Sequence, residues 1–296
     1  MAVDLKGRKI AFFGGDRREL EVADTFSRMG AHVRCVGLPW PDDASWATNV
    51  TEEVTAWADV IICPVGGVDE FGHVLYTLPE MSQPPPRLTE EVVRRAKPGS
   101  VLFIGRAQPT IRQMCANWGL RLVEFRERDD FAIKNAVPSA EGAIAMAFEM
   151  SDITIHGASV LVTGHGRTGS VLARMLHGIG ARTTVAVRHT TDMARVWAAG
   201  HVPIDVRELR ERVGTFDMIF NTVPALILND EVVRRMNPRV VIVDIASAPG
   251  GTDFATARQL GIRARLAPGL PGITAPRSAG RILGETLLTL MDEMNL

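Results

Sequence analysis

Short unbroken apolar runs alternate along the chain with stretches in which apolar residues recur every three or four positions. The runs Lys9–Phe13, Val33–Val36, Val60–Cys63, Val101–Ile104 and Arg121–Phe125 predict buried strands. The stretches Leu20–Met29, Glu52–Trp57, Glu90–Ala96 and Thr110–Asn117 between them predict helices. A second series begins with a strand at Ser159–Thr163 and helical spacing at Val171, Leu172, Met175, Leu176 and Ile179. It continues with strands at Thr183–Val187, Met218–Asn221 and Val240–Asp244. Strands apolar on both faces, alternating with helices, read as parallel sheets covered by helices. The expected fold is α/β: two doubly wound Rossmann-like domains with parallel sheets, linked by crossing helices.

Pro138 sits where a helix carrying Ile144, Ala147, Phe148 and Ser151 begins, and Pro276 opens another with Leu283, Leu287, Leu290 and Met294 on one face. Proline suits the first helical position because the N–H it lacks has no intrahelical partner there. These crossings set the expected boundaries at 1–137 for a substrate or catalytic domain, 138–275 for a dinucleotide-binding domain and 276–296 for a C-terminal helix packing back on the first. Two crossings imply a hinge with a cleft.

Gly164-His165-Gly166-Arg167-Thr168-Gly169 follows the Ser159–Thr163 strand without a gap and opens the next helix. In such a turn the first glycine permits the tight bend, the second lets a pyrophosphate approach the backbone, and the third lets helix and strand pack closely. The free N–H groups of the helix then face the phosphates. An NAD site usually places an acid at the end of the second strand, for the ribose hydroxyls, whereas a cation accommodates the 2′-phosphate of NADP. Here Arg188 stands at that position, followed by Thr190 and, a turn on, Arg195. NADP is the expected cofactor, with NAD as the alternative. Asn221, Thr222, Val223 and Pro224 at one strand end and Ser247 after the next should line the same crevice.

The first domain opens with Gly14-Gly15-Asp16-Arg17-Arg18, which lacks the full glycine spacing. Asp16 reads as a helix N-cap, and Arg17 and Arg18 then lie in the first helical turn at the carboxyl end of a strand, which suits an anionic substrate. Arg128, Asp129, Asp130, Asn135 and Glu141 cluster at the first crossing, where polar groups can meet substrate. The Gly66–Gly72 loop is placed to cover a cleft, and Gln83-Pro84-Pro85-Pro86 reads as a stiff spacer.

Composition narrows the function classes. A formal net charge of -1 gives no reason to expect nucleic acid or an anionic membrane as partner. Met1–Lys9 is short and polar with no signal peptide, and no apolar run reaches membrane-spanning length, so the expected address is the cytoplasm. The three cysteines, Cys35, Cys63 and Cys115, are far apart in apolar elements, and no two histidines show zinc-like spacing, so no metal site is expected.

The combination of Gly14-Gly15-Asp16 with Arg18, the ERDD of Glu127 to Asp130, Asn135 through Pro138 to Glu141-Gly142, the GRTG of Gly166 to Gly169, the PGGTDF of Pro249 to Phe254 and the PGLPG of Pro268 to Gly272 followed by Ala275-Pro276 resembles the dipicolinate synthase A-subunit family over nearly the whole chain. Two positions depart from it: His165, in place of an apolar residue, and Ala248, in place of an arginine. The resemblance implies oxidation of a dihydrodipicolinate-type cyclic dicarboxylate, an intermediate of the lysine pathway, to dipicolinate. It also implies the mother cell of a sporulating bacterium and, as partner, a flavoprotein-like B subunit. Assembly into a homo-oligomer is expected besides. Two substrate carboxylates call for cationic clamps, Arg18 first and Arg128 second, and the proton needs a base, Asp130 and then Glu141. The alternatives are another NAD(P)-dependent hydroxy-acid or amino-acid dehydrogenase, and a non-catalytic nucleotide-binding regulatory subunit.

Overall fold

A computed structural model describes residues 3–40, 50–75, 78 and 84–296. Met1 of the polar N-terminal segment and Gln83 of the proline-rich spacer lie outside the described residues. The chain divides into two compact units, Met1–Ala132 with Ala275–Leu296, and Ile133–Thr274.

The first unit begins with β1 (Lys9–Phe13), α1 (Arg17–Arg28), β2 (His32–Val36), α2 (Thr51–Trp57) and β3 (Val60–Ile62). It continues through α3 (Glu90–Arg94), β4 (Val101–Ile104), α4 (Pro109–Trp118) and β5 (Arg121–Glu124). The helix α5 (Asp129–Met150) then carries the chain into the second unit. There β6 (Ser159–Thr163), α6 (Arg167–Gly178), β7 (Arg182–Val187), α7 (Thr190–Ala198), β8 (Val202–Asp205) and α8 (Leu209–Arg212) are followed by β9 (Met218–Asn221), α9 (Asp230–Val233), β10 (Val241–Asp244), α10 (Phe254–Gln259), β11 (Arg263–Leu266) and α11 (Leu270–Thr274). The last helix, α12 (Pro276–Glu293), returns to the first unit with Pro276 in its first turn, as the sequence predicts.

Every pairing between these named strands is parallel. The sheets run β2-β1-β3-β4-β5 and β11-β10-β9-β6-β7-β8. Strand order reverses at β1 and β3 in the first sheet and at β6 and β9 in the second, so ligand crevices open at those carboxyl ends. Side chains alternate across each sheet. Ile10 and Phe12 join a layer with Val22, Phe26 and Leu287, while Ala11 and Phe13 join the opposite layer with Val54, Val92 and Ile111. In the second sheet Val160 and Val162 pack with Leu172 and Leu270, and Leu161 with Phe216 and Val233. Each such fully buried side chain contributes about 1.5–3 kcal/mol.

Helix α5 begins nine positions before Pro138, which lies inside it rather than in its first turn. An internal proline removes one helical hydrogen bond and costs about 3 kcal/mol. The stripe Ala136, Ala140, Ala143 and Ala147, all buried at helical spacing, offsets this by packing α5 into the core of the second unit. Gly142 allows close approach: a β-carbon there would stand 3.0 Å from the β-carbon of Leu270 and 2.7 Å from Thr274 Oγ1. Two short edge strands, β8 and β11, have no counterpart among the apolar runs of the sequence.

The three cysteines form no disulfide and are buried, all in the first unit. Burial pushes the Cys63 thiol upward and that of Cys115 to about 11. Among the described residues no helix is long and apolar enough to cross a membrane.

Candidate functional site

The glycine turn of the second unit has the geometry that its three glycines demand. Gly164 leaves β6 at φ +85°, and its N–H donates to the carbonyl of Ala186 at 2.8 Å, tying the turn to β7. A β-carbon on Gly169 would lie 2.2 Å from the Gly164 carbonyl oxygen, so α6 presses directly on the turn. Gly166, the N-cap of α6, is different. It is exposed, and a β-carbon there would meet nothing within 4 Å. The helix behind it has no acidic residue in its first turn and no side-chain cap. Uncapped N–H groups behind an open glycine are what a diphosphate requires. His165 and Thr168 are half-buried beside it, and Arg167, also half-buried, occupies the first helical position.

Arg188 is exposed directly after β7, and its Nε donates to His189 Nε2 at 3.3 Å. Thr190 begins α7, and Arg195 on that helix bonds Asp192 at 3.0 Å. No carboxylate therefore occupies the end of β7 itself. The residues present fit a nicotinamide dinucleotide.

Asn221 has a different role from the one the sequence suggests. It is fully buried, and its amide bonds Asp244 Oδ1 at 2.9 Å and the Val223 carbonyl at 3.0 Å. Its Oδ1 accepts from Thr163 Oγ1 at 2.5 Å and from the Val223 N–H at 3.1 Å. Every polar atom of Asn221 is thus taken up within the protein, leaving none for ribose. Asp244 continues the network, accepting from the Ala246 and Gly251 N–H groups and from Thr252 Oγ1. Thr222 donates to the Thr163 carbonyl at 2.7 Å and packs against Gly164 and Gly169, so it shapes the turn. Pro224 and Ser247 are exposed on the loops that this network holds. Asp253 caps α10.

The first turn of the first unit is closed where the other is open. Asp16 caps α1, and its own N–H donates to Glu19 Oε2 at 2.8 Å, completing a reciprocal capping box. The Arg18 guanidinium bonds Asp16 side-on, Nε at 2.9 Å and Nη2 at 2.7 Å. Glu19 closes on the turn: a β-carbon on Gly15 would lie 2.7 Å from its carboxylate carbon. Glu19, absent from the residues that the sequence singles out, is fully buried and also accepts from the Val65 N–H at 3.2 Å, joining α1 to the segment after β3. Burial and then the Asp16 charge push its carboxyl up to about 7. Burial also works to raise Asp16, but the Arg18 hydrogen bonds and charge outweigh it and hold that carboxyl below the usual range. Arg17 is exposed beside them.

The loop after β3 packs onto this turn: a β-carbon on Gly14 would stand 2.8 Å from Val74 Cγ1. Within the loop Asp69 Oδ2 bonds His73 Nδ1 at 2.9 Å, and Asp69 Oδ1 accepts from the N–H groups of Phe71 and His73. An imidazole bound to a carboxylate through Nδ1 presents Nε2 to a proton.

The remaining expected residues do not assemble. Arg128 makes two bonds to Asp130, at 3.1 and 2.9 Å, and two to Glu293, at 2.8 and 3.0 Å, pinning the start of α5 to the end of α12. Its hydrogen bond holds the Asp130 carboxyl below the usual range, the opposite of what a base requires, and Arg128 itself has no free edge for a substrate. Glu141 is exposed at an apolar groove of about 800 Å³ with Ile144, Phe148, His156, Met175 and Ile179. That groove lies by the end of α6 and the start of β6, at the opposite end of the helix from the glycine turn. Asn135 is half-buried on α5, with a buried side-chain oxygen that has no hydrogen-bond partner.

Residues 9–126 match the family of the N-terminal domain of the dipicolinate synthase A subunit, and residues 133–261 match the alanine dehydrogenase/PNT C-terminal domain. The chain is 39% identical over 293 residues to the dipicolinate synthase A subunit of Bacillus subtilis (strain 168), with 98% of each covered. A solved structure of the dipicolinate synthase A subunit from Bacillus halodurans is similar at 35% identity and TM-score 0.85, covering 98% of this chain and 99% of that one. The A chain of dipicolinate synthase from Bacillus subtilis is similar at 38% identity and TM-score 0.84, with 98% of each covered.

Proposed function

The chain belongs to the dipicolinate synthase A-subunit family, and on that premise we propose that it oxidises a dihydrodipicolinate-type intermediate of the lysine pathway to dipicolinate with NADP. We propose further that it does so in the mother-cell cytoplasm of a sporulating bacterium, beside a flavoprotein-like partner. The observation that supports the reading best is the open glycine turn at Gly166, uncapped and free of acids, one strand from the exposed Arg188.

Aromatising a partly saturated ring removes one hydride and one proton. The nicotinamide, when bound, accepts the hydride. The protein's part is to bind, orient and take the proton. In this reading the N–H groups at the start of α6 hold the diphosphate, and Arg188 with Thr190 holds the 2′-phosphate. Asp16 fixes the side-on edge of Arg18, which aims the end-on edge at a substrate carboxylate, with Arg17 as the second cation. A planar fork matched to a carboxylate fixes the ring as well as binding it. The proton passes to His73 Nε2, with Asp69 stabilising the imidazolium that forms.

The test is turnover by the purified chain, supplied with NADP⁺ and the freshly generated product of the preceding lysine-pathway enzyme. Reduced nicotinamide and dipicolinate should form in step. Cofactor binding without either product, with and without the flavoprotein-like partner, would sink the reading.

A further inference from the structure

Residue 165 lies on the side of the glycine turn that faces the adenine-ribose strand. Thr163 of β6 pairs with Ala186 of β7, so His165 and Arg188 each stand two residues past the last register pair, on adjacent strand ends. Adjacent strands are about 4.8 Å apart. The imidazole is half-buried there, and the charges bearing on it come from Asp192 and Arg195 of α7, with His201, itself edge-on to His177, beyond. Arg188 and His189 flank the same strand end, where Arg188 Nε donates to His189 Nε2. Burial first, and Arg195 with it, hold the His165 pKa below 6.5 against the pull of Asp192, whose carboxylate is already bonded to Arg195.

We propose that His165 is a second anchor for the 2′-phosphate of NADP, taking a proton from solvent as that phosphate settles beside Arg188. The proposal rests on the NADP reading above. A phosphate dianion within reach of an imidazole favours the charged form. The empty site avoids three adjacent cations, and His165 becomes cationic only when the ligand brings its own negative charge. The diphosphate is common to both dinucleotides, and the free 2′-hydroxyl of NAD adds no charge to it, so NADP alone draws the further proton. Preference for NADP over NAD therefore fades as the solution becomes alkaline.

The experiment is calorimetric titration of the full chain with NADP⁺ and NAD⁺ at pH 7, in buffers of different ionisation heat, which counts protons taken up per ligand bound. The wild type should take up more protons per ligand with NADP⁺ than with NAD⁺. His165→Leu and His165→Gln should both abolish this difference, and His189→Leu should keep it. Between pH 6.5 and 8.5 the wild-type affinity ratio should fall severalfold, and both His165 variants should hold it flat. A preference for NADP without the extra proton uptake, or an extra uptake that survives both His165 substitutions, overturns this proposal alone. Equal affinity for the two dinucleotides at every pH overturns the NADP reading and this proposal with it.

Discussion

The carbonyl oxygen of Gly164 stands 2.2 Å from the point that a β-carbon on Gly169 would occupy, so helix α6 touches the turn that precedes it. Gly166, three residues earlier, faces open space. The two positions separate folding from binding. Gly169→Ala should force α6 away from β6, lowering stability by about 2 kcal/mol or more and abolishing dinucleotide binding. Gly166→Ala should cost no more than about 1 kcal/mol, the loss of a tolerant N-cap, while weakening the dinucleotide at least tenfold. Denaturant unfolding and nucleotide titration of the two variants check this.

Glu19 sets a pH dependence in the first unit. Its folded pKa of about 7 lies above its ordinary 4.5, so between those values the folded chain keeps a proton that the unfolded chain has released. Its contribution is therefore most favourable at the acid end, falls as pH rises from about 4.5 to about 7, and is level above. Relative to Glu19→Gln, the wild type should lose about 2–3 kcal/mol across that interval, measured by urea unfolding at pH 5 and pH 7.5. A constant difference between the two proteins would show that Glu19 does not titrate there.

Arg188→Asp should invert the cofactor preference, because a carboxylate repels the 2′-phosphate and can accept from the ribose hydroxyls of NAD. A fall of a hundredfold or more in the NADP-to-NAD affinity ratio is expected from the exchange of a cation for an anion. An unchanged ratio means that the end of β7 does not read the adenine ribose.

For His73, the measurement is steady-state turnover. His73→Asn should lower kcat by about 10²–10⁴-fold with KM little changed, the usual range for a lost proton acceptor. Asp69→Asn should lower kcat less, since the imidazole remains but loses its orienting carboxylate. A change in KM alone would assign the pair to loop structure.

The sequence exposes what depends on local chain chemistry. The glycine turn is legible because each glycine answers a backbone requirement within six residues, and β6 and α6 announce themselves by their spacing. Pro276 opens α12 for the same local reason. Pro138 misleads because its local preference is overruled by the buried alanines on either side of it. The edge strands β8 and β11 are half-exposed, carry Pro203, Arg263 and Arg265, and show no unbroken apolar run. The Asp16-x-x-Glu19 spacing is available in the sequence as a capping box, but nothing local says that both carboxylates are buried with an arginine. Asn221 and Asp244 meet only because β9 and β10 pair in register, 23 residues apart in sequence. A distant contact also accounts for Arg128, whose remaining edge is taken by Glu293, at the opposite end of the first unit's sequence.

All three cysteines lie in the core of the first unit, and none in Ile133–Thr274. A thiol-reactive dye mixed with the native protein would therefore be a one-sided reporter. It would register each opening of the first unit as covalent label and remain blind to melting of the dinucleotide-binding unit, so the loosening of the first unit under heat or ligand can be timed on its own in unmodified protein.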